Sequence, residues 1–190
     1  MTLKELVTKN RSRRRFAQEV PVPHETLESL VELARLCPSA ANAQALKFRL
    51  IDTPAECAKV FPHLNWAAAL PDWGGPKEGE RPSAYILILC DQKLAKEKPV
   101  DVGICAQTMM LGAVEAGFGG CMLGNVQRKA LAEALDIDTA RYHIELVLAL
   151  GKPVEKVVIT DVKEDGSTKY YRDDKAVHYV PKRSLSDLIV

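Results

Sequence analysis

Apolar residues spaced three and four positions apart predict a helix in the first part of the chain. They are Leu27, Leu30, Val31 and Ala34. Pro38 disfavours helical backbone geometry in the residue that precedes it, so this helix should end near Cys37. The segment that follows, residues 38–44, predicts a tight turn that leads into a short helical stretch.

Threonine and glutamate three positions apart form two capping boxes, at 2–5 and 53–56. The first predicts a helix that runs to about Lys9. The second has Pro54 at the first helical position, which is pre-organised for a helix, and predicts one that runs to Phe61.

Continuous apolar runs predict buried strands and one buried helix. Residues 84–90 are apolar without alternation and residues 144–150 are apolar except for Glu145, as in strands that are covered on both faces, and residues 48–52 predict a further strand. Residues 99–118 predict a long helix that is apolar nearly all round, so it should lie centrally or in a subunit interface. Strands that alternate with helices favour, taken alone, a parallel α/β sheet.

Residues 62–82 are rich in proline and glycine and predict a long irregular loop, a kind that usually serves function. Residues 117–125 are glycine-rich and predict a turn, with Asn125 as the cap of a helix that ends near Leu135.

The last part of the chain has a different character. Asp165 and Gly166 predict a tight hairpin between the segments 156–163 and 167–172. The final residues mix basic and apolar positions and offer little core of their own. We therefore expect one domain over 1–155, and over 156–190 a hairpin and C-terminal arm that pack on the body or on a partner subunit.

Composition narrows the function classes. The chain has 190 residues, a formal net charge of +1 and 47% hydrophobic residues, which excludes an intrinsically disordered protein. The near-neutral charge argues against nucleic acid and anionic membranes as partners. Five widely spaced cysteines suggest no disulfide framework or zinc site. Without a secretory signal or a membrane-length apolar run, we expect a cytoplasmic protein.

Three segments carry candidate chemistry, because motifs for phosphate loops, zinc proteases, serine hydrolases and EF-hands are absent and the four histidines lack metal-ligand spacing. The first has arginines around Ser12: Arg11, Arg13, Arg14 and Arg15. Guanidinium groups bind phosphate bidentately. A solvated face, or a nucleic-acid contact, is the alternative for this segment.

The second segment is PSAANAQ at 38–44, where Asn42 and Gln44 present amide groups that can bind the polar edge of a ring. The third is GGCMLGN at 119–125, whose glycines can expose backbone N–H groups to a ligand. A plain turn with a helix cap, and a strand-to-helix turn, are the respective alternatives.

Taken together and in this order, the three segments resemble the nitroreductase family of flavin mononucleotide (FMN) enzymes. The resemblance covers most of the chain. Its motifs are R-S-x-R-x-F (Arg11, Ser12, Arg14, Phe16), P-S-x-x-N-x-Q (Pro38, Ser39, Asn42, Gln44) and G-x-G-x-C-x-x-G (Gly117, Gly119, Cys121, Gly124), followed by LGKP at 150–153 and PKR at 181–183.

The resemblance implies a fold and a cofactor site. The fold is α+β, with a mostly antiparallel central sheet wrapped by helices, in an intertwined homodimer with the flavin sites at its interface; we follow it over the parallel alternative. Arg11 and Ser12 would hold the phosphate and ribityl chain, and Arg14 would face the pyrimidine side of the ring. The remaining cofactor-binding residues would be Ser39, Asn42 and Gln44 at the ring edge, Leu123 and Gly124 at the flavin N5, and Lys182 and Arg183 at the phosphate.

The resemblance also implies an activity. FMN would take a hydride from NAD(P)H and reduce nitroaromatic, quinone or related electron-poor substrates by a ping-pong mechanism, so the chain needs no catalytic side chain and no metal. Trp66 and Trp73 are candidates for stacking on a planar substrate, or for packing their loop on the body. The alternative function is a flavin-binding protein of this fold with a specialised or redox-sensing role and little nicotinamide turnover.

Overall fold

A computed structural model describes residues 1–70, 72–96 and 99–190. The helices of the described chain are α1 Leu3–Lys9, α2 His24–Arg35, α3 Pro54–Val60, α4 Pro99–Glu115 and α5 Arg128–Ala134, with 3-10 turns at Ala40–Asn42 and Phe61–His63. The strands are β1 Phe16–Ala17, β2 Leu46–Ile51, β3 Ala84–Asp91, β4 Gly119–Leu123, β5 Tyr142–Pro153, β6 Val157–Asp161, β7 Tyr171–Arg172 and β8 His178–Lys182.

The main sheet is antiparallel at every pairing of the described strands. Its order is β2-β3-β5, and the long β5 pairs along its other edge with both β4 and β1. All eight residues of β3 are buried, as their uninterrupted apolar sequence predicts. The expected α+β fold with an antiparallel sheet is confirmed, and the parallel arrangement that the alternation favoured is wrong.

Helices cover both faces of this sheet. On one face, Tyr85 and Leu87 pack with α3 and α5. On the other, Ile86 and Ile88 pack with α2 and α4. Helix α4 is buried on the side that faces the sheet and α2, and Val100 on its outer side is 71% exposed. The apolar sequence of α4 predicted either a central position or a place in a subunit interface. Within the single chain the helix is not central, because its outer side stays exposed.

Helix caps follow the sequence where the capping bonds are local. Thr2 and Glu5 form the complete capping box of α1. At α3, Thr53 accepts from the Glu56 N–H, but the Glu56 carboxylate receives the Thr53 hydroxyl instead of a backbone N–H, so this second box is half-formed. The expected cap at Asn125 is wrong, because its side chain and carbonyl accept from Asn65.

The glycine-rich segment forms strand β4 where the sequence predicts a turn. A Cβ atom on Gly120 would stand 1.8 Å from the carbonyl oxygen of Ala149 on β5, so a side chain does not fit there. Gly151 does not end β5, which continues to Pro153. The ring of Phe16 packs against Gly151 so closely that a Cβ atom there would stand 2.9 Å from it.

The C-terminal part forms a second, smaller sheet with the order β6-β8-β7. Asp165 and Gly166 form a turn, with Gly166 at φ +72°, but the segments on either side of it do not pair with each other. Strand β6 pairs in parallel with β8, and the antiparallel hairpin is formed by β7 and β8. The hairpin across Asp165–Gly166 is therefore a wrong prediction. No described helix has the length and apolar character that crossing a membrane requires.

Candidate functional site

The arginine segment lies beside the glycine strand. Ser12 forms a parallel bridge with Gly120, and the N–H of Arg13 donates to the carbonyl of Gly120 at 2.8 Å. Arg11 donates back to the preceding helix α1, from Nη2 to the carbonyl of Val7 at 3.0 Å. The structure therefore brings the first and third candidate segments together within one chain.

Arg14 carries the least satisfied cation of this region. Its Nε and Nη1 are buried and have no hydrogen-bond partner among the described residues. The guanidinium lies 5.2 Å from the centre of the Tyr170 ring. Burial raises the pKa of the neighbouring Cys121 thiol to about 12, although the positive charge of Arg14 acts to lower it. This thiol therefore stays protonated and is a poor nucleophile. What the arrangement offers is a fixed, partly unpaired positive charge.

Glu155 holds this segment in place, a role that was not apparent from the sequence. One carboxylate oxygen accepts from the Arg14 N–H at 2.9 Å, and the other contacts Arg172 Nη2 at 2.5 Å. The Glu155 carbonyl accepts from Arg13 Nη1. Nothing next to Glu155 in the sequence signals this role, because its partners lie 141 or 142 residues before it and 17 after it.

The C-terminal segment covers Arg14 together with the 62–82 loop. The Tyr170 hydroxyl accepts from the Ala69 N–H at 3.3 Å, and the Arg172 guanidinium lies 4.2 Å from the Trp73 ring. Trp66 is buried in the core against Phe61, its indole N–H unpartnered among the described residues. Of the two candidate tryptophans, Trp73 is the one in contact with the residues around Glu155.

Gly124 follows strand β4, after the buried Leu123, and its carbonyl accepts from Arg128 Nη2 at 3.1 Å. The same arginine donates from Nε to the carbonyl of Ile144 on β5 at 2.8 Å. Arg128 thus fixes the turn after β4 against the sheet, a role that the sequence does not show. A Cβ atom on Gly124 would approach only Leu146, at 3.9 Å, an ordinary van der Waals contact, so a methyl group fits there.

The second candidate segment is strained. Ala41, Asn42 and Gln44 all have φ between +48° and +55°, a conformation that side chains rarely adopt. The buried Asp101 at the start of α4 holds the turn by accepting from the Ala40 N–H at 3.1 Å. Asp101 was visible in the sequence as one of two charges in an apolar helix. Strain that is maintained in this way is typical of functional sites.

Within one chain, the segment 38–44 does not lie close to the arginine segment or to the segment 119–125. It leads into β2 at one edge of the sheet, whereas Ser12 and Gly124 adjoin β4 at the other edge. Three strand spacings separate β2 from β4, which is about 14 Å. Lys182 is the last residue of β8, and Arg183 follows it. The four residue steps of extended strand from His178 to Lys182 put about 13 Å between these two residues.

The arginines of 11–15 point to different partners. Arg15 forms a half-buried ion pair with Glu80 at 2.6 Å, Arg13 binds the Glu155 carbonyl, and Arg14 is covered by Tyr170. Burial lowers the pKa values of Arg11 and Arg13, yet guanidinium groups keep their charge. These side chains do not form one continuous exposed basic surface.

Solved structures resemble the whole fold. One is a provisionally named nitroreductase of Desulfovibrio desulfuricans in complex with FMN, at a TM-score of 0.71 and 23% identity, covering 100% of this chain and 96% of that one. A second, from Exiguobacterium sibiricum and also in complex with FMN, has a TM-score of 0.69 at 22% identity and covers 82% and 90%. A nitroreductase family protein of Clostridium novyi NT covers 100% of both chains at 18% identity and a TM-score of 0.68.

Sequence comparisons agree with the fold. The Bacillus subtilis protein YdgI, provisionally named an NAD(P)H nitroreductase, is 23% identical in an alignment that covers 80% of this chain and 88% of YdgI. The model of the nitroreductase family matches residues 7–152, which contain the three candidate segments and the whole of the main sheet but for its last residue. The chain therefore belongs to the nitroreductase family.

Proposed function

We propose that the chain is an FMN-dependent oxidoreductase that takes a hydride from NAD(P)H and reduces nitroaromatic, quinone or related electron-poor substrates. The observation that carries this proposal is the buried Arg14 guanidinium, with two nitrogens unpartnered among the described residues, beside the glycine strand. Membership of the family supports it, as do the two relatives of the same fold that were crystallised with FMN.

The residues present fit the cofactor. A buried guanidinium that lacks acceptors is costly unless a ligand supplies them, and the pyrimidine carbonyl groups of a flavin are such acceptors. In this proposal Arg11 and Ser12 hold the phosphate and ribityl chain, and Lys182 and Arg183 contribute further phosphate contacts. Leu123 and Gly124 would contribute backbone groups that hold the ring.

A second copy of the chain completes each site in this proposal. Ser39, Asn42 and Gln44 would approach the ring from the partner, because within one chain they adjoin the opposite edge of the sheet. Ser39 and Gln44 line an open groove of about 500 Å³ between α2 and β2. The exposed apolar side chain of Val100 on α4 supports an interface on this side of the molecule.

When bound, FMN would supply the hydride chemistry that no side chain provides. The task of the chain is to bind the cofactor and to place charge around it. Arg14 would hold a fixed positive charge where negative charge develops on reduction. Arg128 would keep Gly124 in register by occupying its carbonyl. Trp73 would stack on a planar substrate. NAD(P)H and the oxidant would bind at the same site one after the other, which is a ping-pong sequence.

Anaerobic reduction of the FMN-saturated protein tests the activity. We expect NADH or NADPH to bleach the flavin absorbance, and a nitroaromatic or a quinone to restore it. Initial rates at varied concentrations of both substrates should give the parallel double-reciprocal lines of a ping-pong mechanism. FMN binding without bleaching by either nicotinamide would contradict the activity and favour a flavin-binding protein with a redox-sensing role.

A further inference from the structure

A second crevice lies away from the candidate flavin site. It has a volume of about 410 Å³, a size typical of small-molecule pockets, and opens between the turn at 18–21, the start of α3 and the segment 78–83. Its walls are mostly apolar side chains: Pro21, Pro54, Ala58, Phe61 and Pro82. Tyr85 and Ser83 belong to the same lining.

Three polar groups of this crevice lack a hydrogen-bond partner among the described residues. They are the Tyr85 hydroxyl, the Ser83 hydroxyl and Arg81 Nε, and each is buried at the atom itself. The whole Tyr85 residue is 0% exposed. Leaving one such group unpaired is unfavourable, so three in one crevice indicate an oxygen-bearing ligand that accepts from them.

The charges around the crevice restrict what this ligand can be. Burial raises the pKa of the Tyr85 phenol far above its ordinary value, with Cys57 contributing, so the phenol is a neutral hydrogen-bond donor. The Arg81 guanidinium is paired with Glu78 at 2.7 Å. Glu19 and Asp52 add two carboxylates to the lining, and Asp52 Oδ2 lies 2.6 Å from His24 Nδ1. The surroundings are therefore negative on balance and oppose an anion.

We propose that this crevice binds a small neutral aromatic molecule that bears a carbonyl or phenolic oxygen, with the ring between the proline walls and the oxygen at Tyr85. The crevice is distinct from the candidate flavin site. In the sheet, Tyr85 pairs with Ala149 and Ala149 with Cys121, while Gly124 lies three residues beyond Cys121. Tyr85 is therefore separated from Gly124 by about 10 Å across the strands and by about 10 Å along them.

Fluorine NMR titration of the full chain with 4′-fluoroacetophenone tests the proposal, with and without added FMN. The ketone accepts hydrogen bonds and carries no charge. We expect saturable binding in both conditions. Ala58→Leu narrows the crevice from the exposed face of α3 and should weaken binding at least about tenfold, whereas Ala55→Leu, exposed on the same helix and outside the crevice, should leave it unchanged.

A second variant tests the role of the phenol. Tyr85→Phe should weaken binding of the ketone about tenfold, because it removes a hydrogen bond to the ligand, and should leave the melting temperature unchanged or higher, because the hydroxyl has no described partner to lose. Fluorobenzene and 4-fluorobenzoate should bind more weakly than the ketone. Absence of saturable binding, equal affinity in Ala58→Leu, or equal affinity in Tyr85→Phe would overturn the proposal, whether or not FMN binds.

Discussion

The carboxylate of Glu155 contacts the guanidinium of Arg172 at 2.5 Å, with the side chains 0% and 14% exposed. The same carboxylate accepts from the backbone of Arg14. One buried acid therefore ties the N-terminal arginine segment to the C-terminal hairpin. Because Arg172 also lies over Trp73, the 62–82 loop is joined to the same point.

Removing this acid should destabilise the protein strongly. Glu155→Ala leaves the Arg172 cation buried without its partner, and breaking a buried pair in this way costs about 3–5 kcal/mol of unfolding free energy. Urea denaturation of both proteins measures the difference. Glu32→Gln is the matched control, because it breaks an exposed ion pair with Arg35 and should leave the midpoint unchanged. Equal midpoints for Glu155→Ala and wild type would refute the role of Glu155.

His178 should make stability depend on pH. It is buried against Tyr170, and burial lowers its pKa, with Arg14 and Arg172 acting in the same direction and Glu155 opposing them. Below its ordinary pKa of about 6.5, the unfolded chain then takes up a proton more readily than the folded one. The free energy of unfolding is therefore not reduced by His178 above pH 6.5, and it decreases as the pH falls below that value.

The measurement is the free energy of unfolding between pH 7 and pH 5. His178→Asn should flatten the decline. His24 is the opposite case, because a hydrogen bond to Asp52 raises its pKa, so His24→Gln should steepen the decline. A His178→Asn profile parallel to that of wild type would contradict this assignment.

Gly120 within β4 and Gly124 directly after it should respond differently to alanine. Gly120→Ala drives a Cβ atom into the Ala149 carbonyl and should cost about 3 kcal/mol or more, or prevent folding. Gly124→Ala meets only Leu146 at 3.9 Å and should stay within about 1 kcal/mol of wild type. Thermal unfolding compares them, and similar losses in both variants would show that the backbone contact at Gly120 is unimportant.

Mixed dimers test the proposed sharing of sites. We expect Arg14→Gln and Asn42→Ala each to weaken FMN binding when present in both copies. In a dimer of one copy of each, one site keeps both Arg14 and Asn42 and the other loses both. Such dimers should bind one FMN with wild-type affinity. A site contained within one chain would leave the mixed dimer with no intact site and with weakened binding throughout.

Local signals account for the parts of the fold that the sequence predicted. The capping box at Thr2 and Glu5 and the uninterrupted apolar run of β3 each depend on neighbours in the chain. The parallel pairing of β6 with β8 depends on residues about 21 positions apart, for which Asp165 and Gly166 offered only a misleading turn signal. Turn residues determine local geometry, and the pairing of the strands is decided by tertiary contacts.

The candidate site likewise has residues that a local motif indicates and residues that only the tertiary structure reveals. Arg14 and Gly124 became candidates because their motifs are local and resemble those of a family. Glu155, which holds the Arg14 backbone from 141 residues away, left no local pattern. Asp101 was an exception, since a single acid in the first turn of an apolar helix was visible, although its hydrogen bond to Ala40 was not.

Titration of the purified protein with FMN, followed by quenching of flavin fluorescence, tests the central claim most directly. We expect saturation at one FMN per chain, and a dissociation constant that rises about ten- to hundredfold in Arg14→Gln, because a charged hydrogen-bond donor to the ring is lost. A colourless protein that shows no saturable quenching, or an Arg14→Gln variant that binds FMN as tightly as wild type, would contradict it.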